Sequence, residues 1–453
     1  MELSLQTAVP FKTLEAATAA IDGLGMDVHK LGTSRIKAVL QTLGNPQDRV
    51  PALHVVGTNG KGSVTAYLTA MLQAAGFRCG TFTSPHLVDV RERIQVNGRP
   101  IDQSAFIEAT NRVFMAMGAV GGQVPDPASA LSYFECLNAM AFDEFARLKL
   151  DVAVIEAGLG GRLDSTNVMA SPLAVVVTPI SMDHMARLGP TLTAIAEEKA
   201  AVIKPGVPVV SGFQPDEVMA VLRAKAQQAQ APLLIASQPL PVGQLCLDTD
   251  DPHRQLGQYA SGLLGPYQAQ NLALVLKVLE AVDSALPVPE AARCHGIAHA
   301  RWPGRYQWVA PYRLLLDGSH NEAGLNTLVD AINQDFGHVD LCWVLSLKRN
   351  RSLAMLQPLL QCAQTRHVIV LAPPAAEAER FHEPEAMADF VAHHAPEGTV
   401  VTIFNDATFL DWLRTQPRQG SFEGTLIVAA GSLYTTGRLL KGLALGEEDG
   451  SVD

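Results

Sequence analysis

Cysteine is sparse, with 6 residues in 453 and no Cys-x-x-Cys pair among Cys79, Cys136, Cys246, Cys294, Cys342 and Cys362. Zinc sites and disulfide frameworks need closer or more regular spacing, so these read as reduced, mostly packed thiols. The chain also lacks any long Lys/Arg block, and its net charge is −11. Binding a phosphate backbone needs a basic face, so no nucleic-acid partner is expected, and the negative balance serves solubility. No uninterrupted apolar run approaches membrane-spanning length. The first residues, Met1-Glu2-Leu3-Ser4-Leu5-Gln6, hold an early acid and no basic-then-apolar leader. A cytoplasmic protein is expected. Charged residues make up only 17% against 48% hydrophobic, a balance typical of packed globular proteins. At 453 residues the chain is long for one core and suggests two or more domains.

What is present is most informative at Leu53-His54-Val55-Val56-Gly57-Thr58-Asn59-Gly60-Lys61-Gly62-Ser63. An apolar run stops at glycine, a lysine sits among glycines, and a helical apolar pattern follows through Tyr67, Leu68, Met71 and Leu72. That predicts strand, tight loop and helix. Glycines let backbone approach phosphate oxygens, and the first helical amides carry the positive end of the helix dipole. Lys61 adds a mobile charge, and the Ser63 hydroxyl suits a magnesium ion. Gly57, Thr58, Asn59, Gly60, Lys61, Gly62 and Ser63 are therefore candidate nucleotide-phosphate contacts. The spacing departs from G-x-x-x-x-G-K-[ST], because Gly62 separates Lys61 from Ser63.

Repeated strand–loop–helix units favour parallel sheets covered on both faces. Strands are predicted near Leu53, Arg78, Asp151, Leu173 and Val207, with helices at 191–203 and 217–230. Exposed loops are predicted at 118–130 and 248–253. The pattern breaks at Arg301-Trp302-Pro303-Gly304-Arg305, and a second series follows with strands at 312–316, 341–345, 367–371, 400–404 and 425–429. The expected fold is α/β: a large P-loop-type ATP-binding domain with a mostly parallel sheet over 1–300, and a linker at 301–306. A smaller Rossmann-like doubly wound C-terminal domain at 307–445 and a disordered tail at 446–453 complete it. Ligands in such sheets bind beyond the carboxyl ends of strands, where Asp317 and Gly318 fall.

Three further segments end apolar strands in site-like residues: Thr83–Leu87, Glu156–Asp164 and Thr178–His184. Parallel neighbours would bring them to the edge that carries Gly57–Ser63. A hydroxyl, a carboxylate and a neutral imidazole together can hold magnesium that also binds nucleotide phosphate. Taken singly, Glu156 or His184 also fits a loop residue or a helix cap.

With these motifs assembled, the chain resembles the bacterial folylpolyglutamate synthase/dihydrofolate synthase family of the ATP-dependent Mur ligase superfamily, from about Gly32 to about Tyr434. Gly-Thr-Asn-Gly-Lys-Gly-Ser indicates the superfamily. Thr-Ser-Pro-His-Leu and Gly-Leu-Gly-Gly-Arg-Leu-Asp narrow it to the folate branch. The resemblance implies Ser84, Glu156 and His184 as magnesium ligands, and Lys199 carried as a carbamate near a second magnesium. Unmodified, Lys199 beside Glu197 and Glu198 also reads as a mixed-charge helix surface. It implies Lys61, Lys199 and His184 as catalytic groups, and Asn271, Arg305, Asp317 and His320 as further ATP contacts. Ser132, Tyr133, Phe134, Glu135, Leu163, Asp164 and Ser165 would line the pterin site. Asn271 also fits a helix N-cap, and Tyr133 and Phe134 also fit plain core.

The implied reaction is ATP-dependent ligation of L-glutamate to dihydropteroate and to tetrahydrofolate through an acyl phosphate, with closure of the small domain excluding water. A monomer is implied. The alternatives are a dihydrofolate synthase only, a muramyl-type amino acid ligase, or a nucleotide-binding regulator. Only 56 residues precede Gly57, which weighs against the extra domain of muramyl relatives. Two departures stand out. Tyr267 replaces a common histidine, and Lys348-Arg349-Asn350-Arg351 replaces an acidic turn, which bears on polyglutamate handling more than on ATP chemistry.

Overall fold

The computed structural model describes residues 10–25, 32–121, 130–236, 238–247, 249–415, 422 and 424–444. The chain divides into two compact units, 1–240 with 270–299, and 241–269 with 300–453. The expected tail at 446–453 lies outside the described residues.

The first unit is built on an eight-stranded sheet. Its strands are β1 (Ala52–Val56), β2 (Cys79–Phe82), β3 (Ile94–Val96), β4 (Arg99–Pro100), β5 (Val152–Glu156), β6 (Ala174–Val177), β7 (Val209–Ser211) and β8 (Leu233–Ile235). The spatial order is β4-β3-β2-β5-β1-β6-β7-β8. The run from β2 to β8 is parallel, and β3 and β4 form an antiparallel edge. β1 and β5 are buried along their whole length, as strands covered on both faces must be. One face packs Phe82, Ala153 and Ile155 against Phe106, Val113, Leu137 and Phe145 of two long helices, Gln103–Gly121 and Tyr133–Arg147. Elsewhere Val175, Val177 and Val209 pack against Ile195, Val218 and Leu222. The loop expected at 118–130 is corrected in part: residues 118–121 continue a helix, whose apolar repeat carries it past Met117, while 122–129 lie outside the described residues.

The second unit opens with a three-stranded antiparallel sheet of β9 (Val242–Cys246), β10 (His253–Leu256) and β11 (Tyr259–Ser261). His253, expected in a loop, begins β10. A six-stranded sheet follows, with β12 (Gln307–Val309), β13 (Leu314–Leu316), β14 (Leu341–Leu345), β15 (Thr365–Leu371), β16 (Val400–Phe404) and β17 (Leu426–Ala430) in the order β12-β13-β17-β14-β15-β16. All neighbours are parallel except β12 on β13. Alternate residues feed opposite cores: Trp343, Leu345, Val428 and Ala430 on one face, Cys342, Val344, Ile427 and Ala429 on the other. Burial on both faces is what makes these strands continuous apolar runs. In this unit Arg254 and Asp335 also form a buried ion pair, 2.5 Å apart with both side chains 2% exposed.

Candidate functional site

The register of the first sheet decides which residues share an edge. Val55 pairs with Glu156, Phe82 with Ile155, and Val56 with Val177. The loops leaving β1, β2, β5 and β6 therefore emerge together at their carboxyl ends, as the sequence predicts. The phosphate-loop helix runs Lys61–Ala74 from Gly60, whose φ of 86° is left-handed. A side chain there would also lie 2.6 Å from Asn271 Oδ1, so only glycine fits. Asn271 lies inside the helix Gln268–Ala281 and is not its N-cap. It packs on the loop. The amides of Thr58 and Asn59 donate to the Pro179 carbonyl at 3.0 and 3.3 Å, and Thr58 exchanges hydrogen bonds with Ser181. This ties the loop to the segment after β6. Ser63 is buried in the first helical turn.

Two lysines converge on the same loop carbonyl. Lys61 Nζ donates to Gly57 O at 3.3 Å and to Thr58 O at 3.0 Å, and lies 4.0 Å from Glu156 Oε1. Lys199 Nζ donates to Gly57 O at 2.7 Å. Lys199 is 5% exposed, so it is no surface residue. Burial, reinforced by the charge of Lys61, lowers its ammonium to about 7. What brings the helix Leu192–Ala200 so close is Gly161 of the turn after β5. A Cβ on Gly161 would stand 2.7 Å from the Glu198 carbonyl and 2.9 Å from that of Lys199. The turn also bonds the helix through Arg162 N to Glu198 O at 2.9 Å.

Asp164 closes that turn. Its Oδ2 accepts Leu159 N–H at 2.8 Å, and its Oδ1 accepts Thr166 N–H at 2.9 Å and the Thr166 hydroxyl at 2.5 Å. Burial raises its pKa, and these donors oppose the rise. Next to it, Asn138 Nδ2 donates to Ser165 Oγ at 3.0 Å. Leu163 is half-buried.

Ser84 follows β2 and begins a loop that Glu92 holds from below, accepting the amides of Leu87, Val88 and Asp89 at 2.7–2.9 Å. Arg93 Nε donates to His86 Nδ1 at 2.9 Å, and its guanidinium lies 5.3 Å from the Tyr133 ring centroid. Burial and Arg93 lower His86 to about 4, which keeps it neutral and able to accept. His86 and Arg93 were not among the predicted site residues, although His86 sits inside the motif that flagged Ser84. Ser132 and Glu135 form a reciprocal cap at the start of Tyr133–Arg147, the pattern S-x-x-E encodes. Glu135 also pairs with Arg35 at 3.2 Å. Tyr133 is buried, and the Phe134 ring lies 5.5 Å from that of Phe82, tilted by 52°.

His184 adopts a left-handed backbone with φ 51°. Its side chain is 44% exposed, and Nε2 lies 3.9 Å from Asp183 Oδ2. Among the described residues no group of three or more His, Cys, Asp or Glu side chains gathers as a metal site. A magnesium at this edge would therefore draw on mixed hydroxyl, carboxylate and imidazole donors. Those are hard or borderline ligands that suit an ion retaining water and phosphate oxygens.

In the second unit, Asp317 ends β13 and is 1% exposed. Its Oδ2 accepts Tyr306 N–H at 2.9 Å and the Tyr267 hydroxyl at 3.3 Å, and its Oδ1 accepts Ser319 N–H at 2.8 Å. Tyr267, the departure from histidine, thus holds a predicted ATP contact. Arg305 lies over Gly318, and His320 Nδ1 donates to the Gly318 carbonyl at 2.8 Å. In the basic turn, Lys348 Nζ sits 3.9 Å over the Tyr434 ring and Arg349 pairs with Glu383 at 2.6 Å.

A phosphate loop with two lysines and a carboxylate at one parallel edge, joined in sequence to a second doubly wound unit, defines the class of ATP-dependent acid–amino acid ligases with the Mur ligase fold. No family model matches the chain. It is 36% identical over 336 residues to a dihydrofolate synthase/folylpolyglutamate synthase of Bacillus subtilis, covering 71% of this chain and 76% of that protein. A Mycobacterium tuberculosis folylpolyglutamate synthase complexed with ADP and AMPPCP superposes with a TM-score of 0.82 at 29% identity, covering 95% and 98% of the two chains. Escherichia coli FolC in complex with DHPP and ADP superposes with a TM-score of 0.79 at 26% identity, covering 98% and 99%. The chain belongs to the dihydrofolate synthase/folylpolyglutamate synthase family.

Proposed function

We propose that the chain joins L-glutamate to dihydropteroate, giving dihydrofolate, and to tetrahydrofolate as added glutamates, at one site. A carboxylate condenses poorly with an amine because its oxygen is a poor leaving group. In the proposed sequence the folate carboxylate attacks the γ-phosphorus of ATP, and ADP departs. The glutamate amine then attacks the acyl phosphate carbonyl, inorganic phosphate leaves, and the amine gives up a proton. The convergence of Lys61 and Lys199 on the Gly57 carbonyl beside Glu156 is the observation that carries this reading. Lys61 there offsets charge on the transferring phosphoryl group, and Lys199 is the buried amine that would carry the carbamate.

Gly57, Thr58, Asn59, Gly60, Lys61, Gly62 and Ser63 would hold the phosphates, and Asn271, Arg305, Asp317 and His320 would add nucleotide contacts. Ser132, Tyr133, Phe134, Glu135, Leu163, Asp164 and Ser165 would border the pterin. Ser84, Glu156 and His184 would hold one magnesium, and Lys199, carbamylated to an anionic oxygen ligand, would face a second. Magnesium, when bound, neutralises phosphate oxygens and aligns them for in-line displacement. Among the described residues no helix is long and apolar enough to cross a membrane. Our reading is a cytoplasmic monomer acting on small molecules, without a nucleic-acid partner.

The test is phosphate release and product formation from ATP and glutamate, with dihydropteroate or a reduced folate in separate tubes. We expect both reactions, and we expect Lys61→Ala to lose at least about a hundredfold in each, as removal of a phosphate-stabilising charge does. Product with dihydropteroate alone would restrict the chain to dihydrofolate synthesis and direct attention to Lys348–Arg351. Intact ligation by the Lys61 variant would sink the mechanism.

A further inference from the structure

His54 is fully buried in the middle of β1, the strand that delivers the phosphate loop. Its neighbours along that strand, Leu53, Val55 and Val56, are apolar and equally buried. A β-branched aliphatic residue would suit such a position, so an imidazole there needs a reason. Its Nδ1 is buried without a hydrogen-bond partner, a cost the fold bears. The compensating contact is at the other nitrogen, where Nε2 lies 2.8 Å from Thr166 Oγ1.

The direction of that bond follows from what Thr166 does next. Its hydroxyl is 2.5 Å from Asp164 Oδ1, which already accepts the Thr166 amide. A carboxylate oxygen taking an N–H bond serves as acceptor, so the hydroxyl gives its proton to Asp164. The hydroxyl lone pair is then free to accept from His54 Nε2–H. Three groups form a one-way chain from the strand of the phosphate loop to the carboxylate of the Gly-Leu-Gly-Gly-Arg-Leu-Asp turn.

We infer that His54 is a positioning residue: through Thr166 it fixes the Asp164 carboxylate for the pterin substrate. This rests on the proposed placement of Asp164 at the pterin site. Burial, with Lys204 adding to it, lowers the imidazole to about 3. His54 therefore stays neutral, with its proton on Nε2, across the working pH range. Lys204 itself is engaged with Asn167 Oδ1 at 2.7 Å and leaves the chain intact.

The experiment compares His54→Leu, His54→Gln, Thr166→Val and the Leu/Val double variant with the parent, in KM for dihydropteroate, kcat and Kd for ADP. Loss of a buried hydrogen bond from this chain predicts a rise of about tenfold in dihydropteroate KM for His54→Leu and Thr166→Val. The expected kcat and ADP Kd stay within about twofold of the parent, since neither group touches the phosphates. His54→Gln, whose amide can reach the same hydroxyl, should restore KM. The double variant should be no worse than Thr166→Val alone, because both act on one path.

An unchanged KM in His54→Leu, additive effects in the double variant, or parallel losses in ADP and pterin affinity would each overturn the inference. Should His54→Leu fail to fold, Thr166→Val decides in the same way. Asp164→Asn separates the two layers. If it leaves dihydropteroate KM unchanged, the pterin-site reading itself is wrong. If it raises KM while His54→Leu does not, only the role of His54 falls.

Discussion

Removing carbon dioxide should switch the enzyme off, and the structure sets how strongly pH governs that response. A carbamate forms when a neutral amine attacks carbon dioxide and releases a proton, so the neutral fraction of Lys199 controls it. An ordinary lysine near 10.5 is about 0.1% neutral at pH 7.5, whereas one lowered to about 7 is about three-quarters neutral. The cause is geometric: the ammonium is buried, donates only to an uncharged carbonyl, and lies near Lys61. The sign follows from the lowered value. Neutral amine accumulates as pH rises through about 7 and is lost below it. Between pH 7.5 and pH 6 the neutral fraction falls about eightfold, and carbamate at dissolved carbon dioxide low enough to leave it a minor species falls at least as much. The assay is ATP-dependent ligation in degassed buffer, with and without added bicarbonate, across that pH range. Carbon-13 NMR after labelling with ¹³CO2 reads the adduct directly, and Lys199→Arg supplies a side chain that cannot form it. Full activity of the arginine variant, or an unlabelled protein that works equally well in degassed buffer, would refute the reasoning.

Much of this site is legible in the sequence because its elements announce themselves by a change of period. A short continuous apolar run stops at Gly57 and a helical repeat begins after Lys61, which fixes strand, loop and helix without any partner. The strands at 341–345 and 400–404 fall where expected: the first is central and apolar at every position because both its faces are covered, and the second is an edge strand marked by its β-branched run Val400–Ile403. What escapes is of two kinds. β9, β10 and β11 are short and carry exposed or polar residues such as Gln244, His253 and Arg254, so no periodicity marks them. Their place is set by distant partners, Arg254 on Asp335 above all. The other kind is a polar residue whose partner is far away in sequence. His54 meets Thr166 across 112 positions and Tyr267 meets Asp317 across 50. Nothing local distinguishes such a residue from an accident of composition. The Gly- and Pro-rich composition of 118–130 reads as loop, yet residues 118–121 are helical, because a helix tolerates glycine when its apolar face is already docked.

Two further perturbations probe the frame on which the site rests. Gly161→Ala should push the turn after β5 away from the helix that carries Lys199, because the new methyl group meets backbone carbonyls at 2.7 and 2.9 Å that cannot rotate aside. We expect a loss of about 1–3 kcal/mol in unfolding free energy, with ligation falling more than stability alone explains; thermal unfolding and phosphate release measured together check this. Arg254→Met tests the buried pair in the second unit. Asp335 would keep the Tyr306 hydroxyl at 2.7 Å but lose its counter-charge, which costs about 3–5 kcal/mol when one partner of a buried pair is removed. At roughly 2–4 °C per kcal/mol for a unit of this size, melting should fall by about 10 °C. The pH dependence supplies the discriminating readout. Burial already raises the Asp335 pKa above the ordinary aspartate value of 3.8, and removing Arg254 raises it further. A raised folded value means that protonation relieves the penalty, so the deficit is full near neutrality and shrinks as pH falls through that raised value. A variant that melts within 2 °C of the parent at pH 7, or whose deficit is flat from pH 7 to pH 5, would show that Asp335 is not held as a buried anion by Arg254.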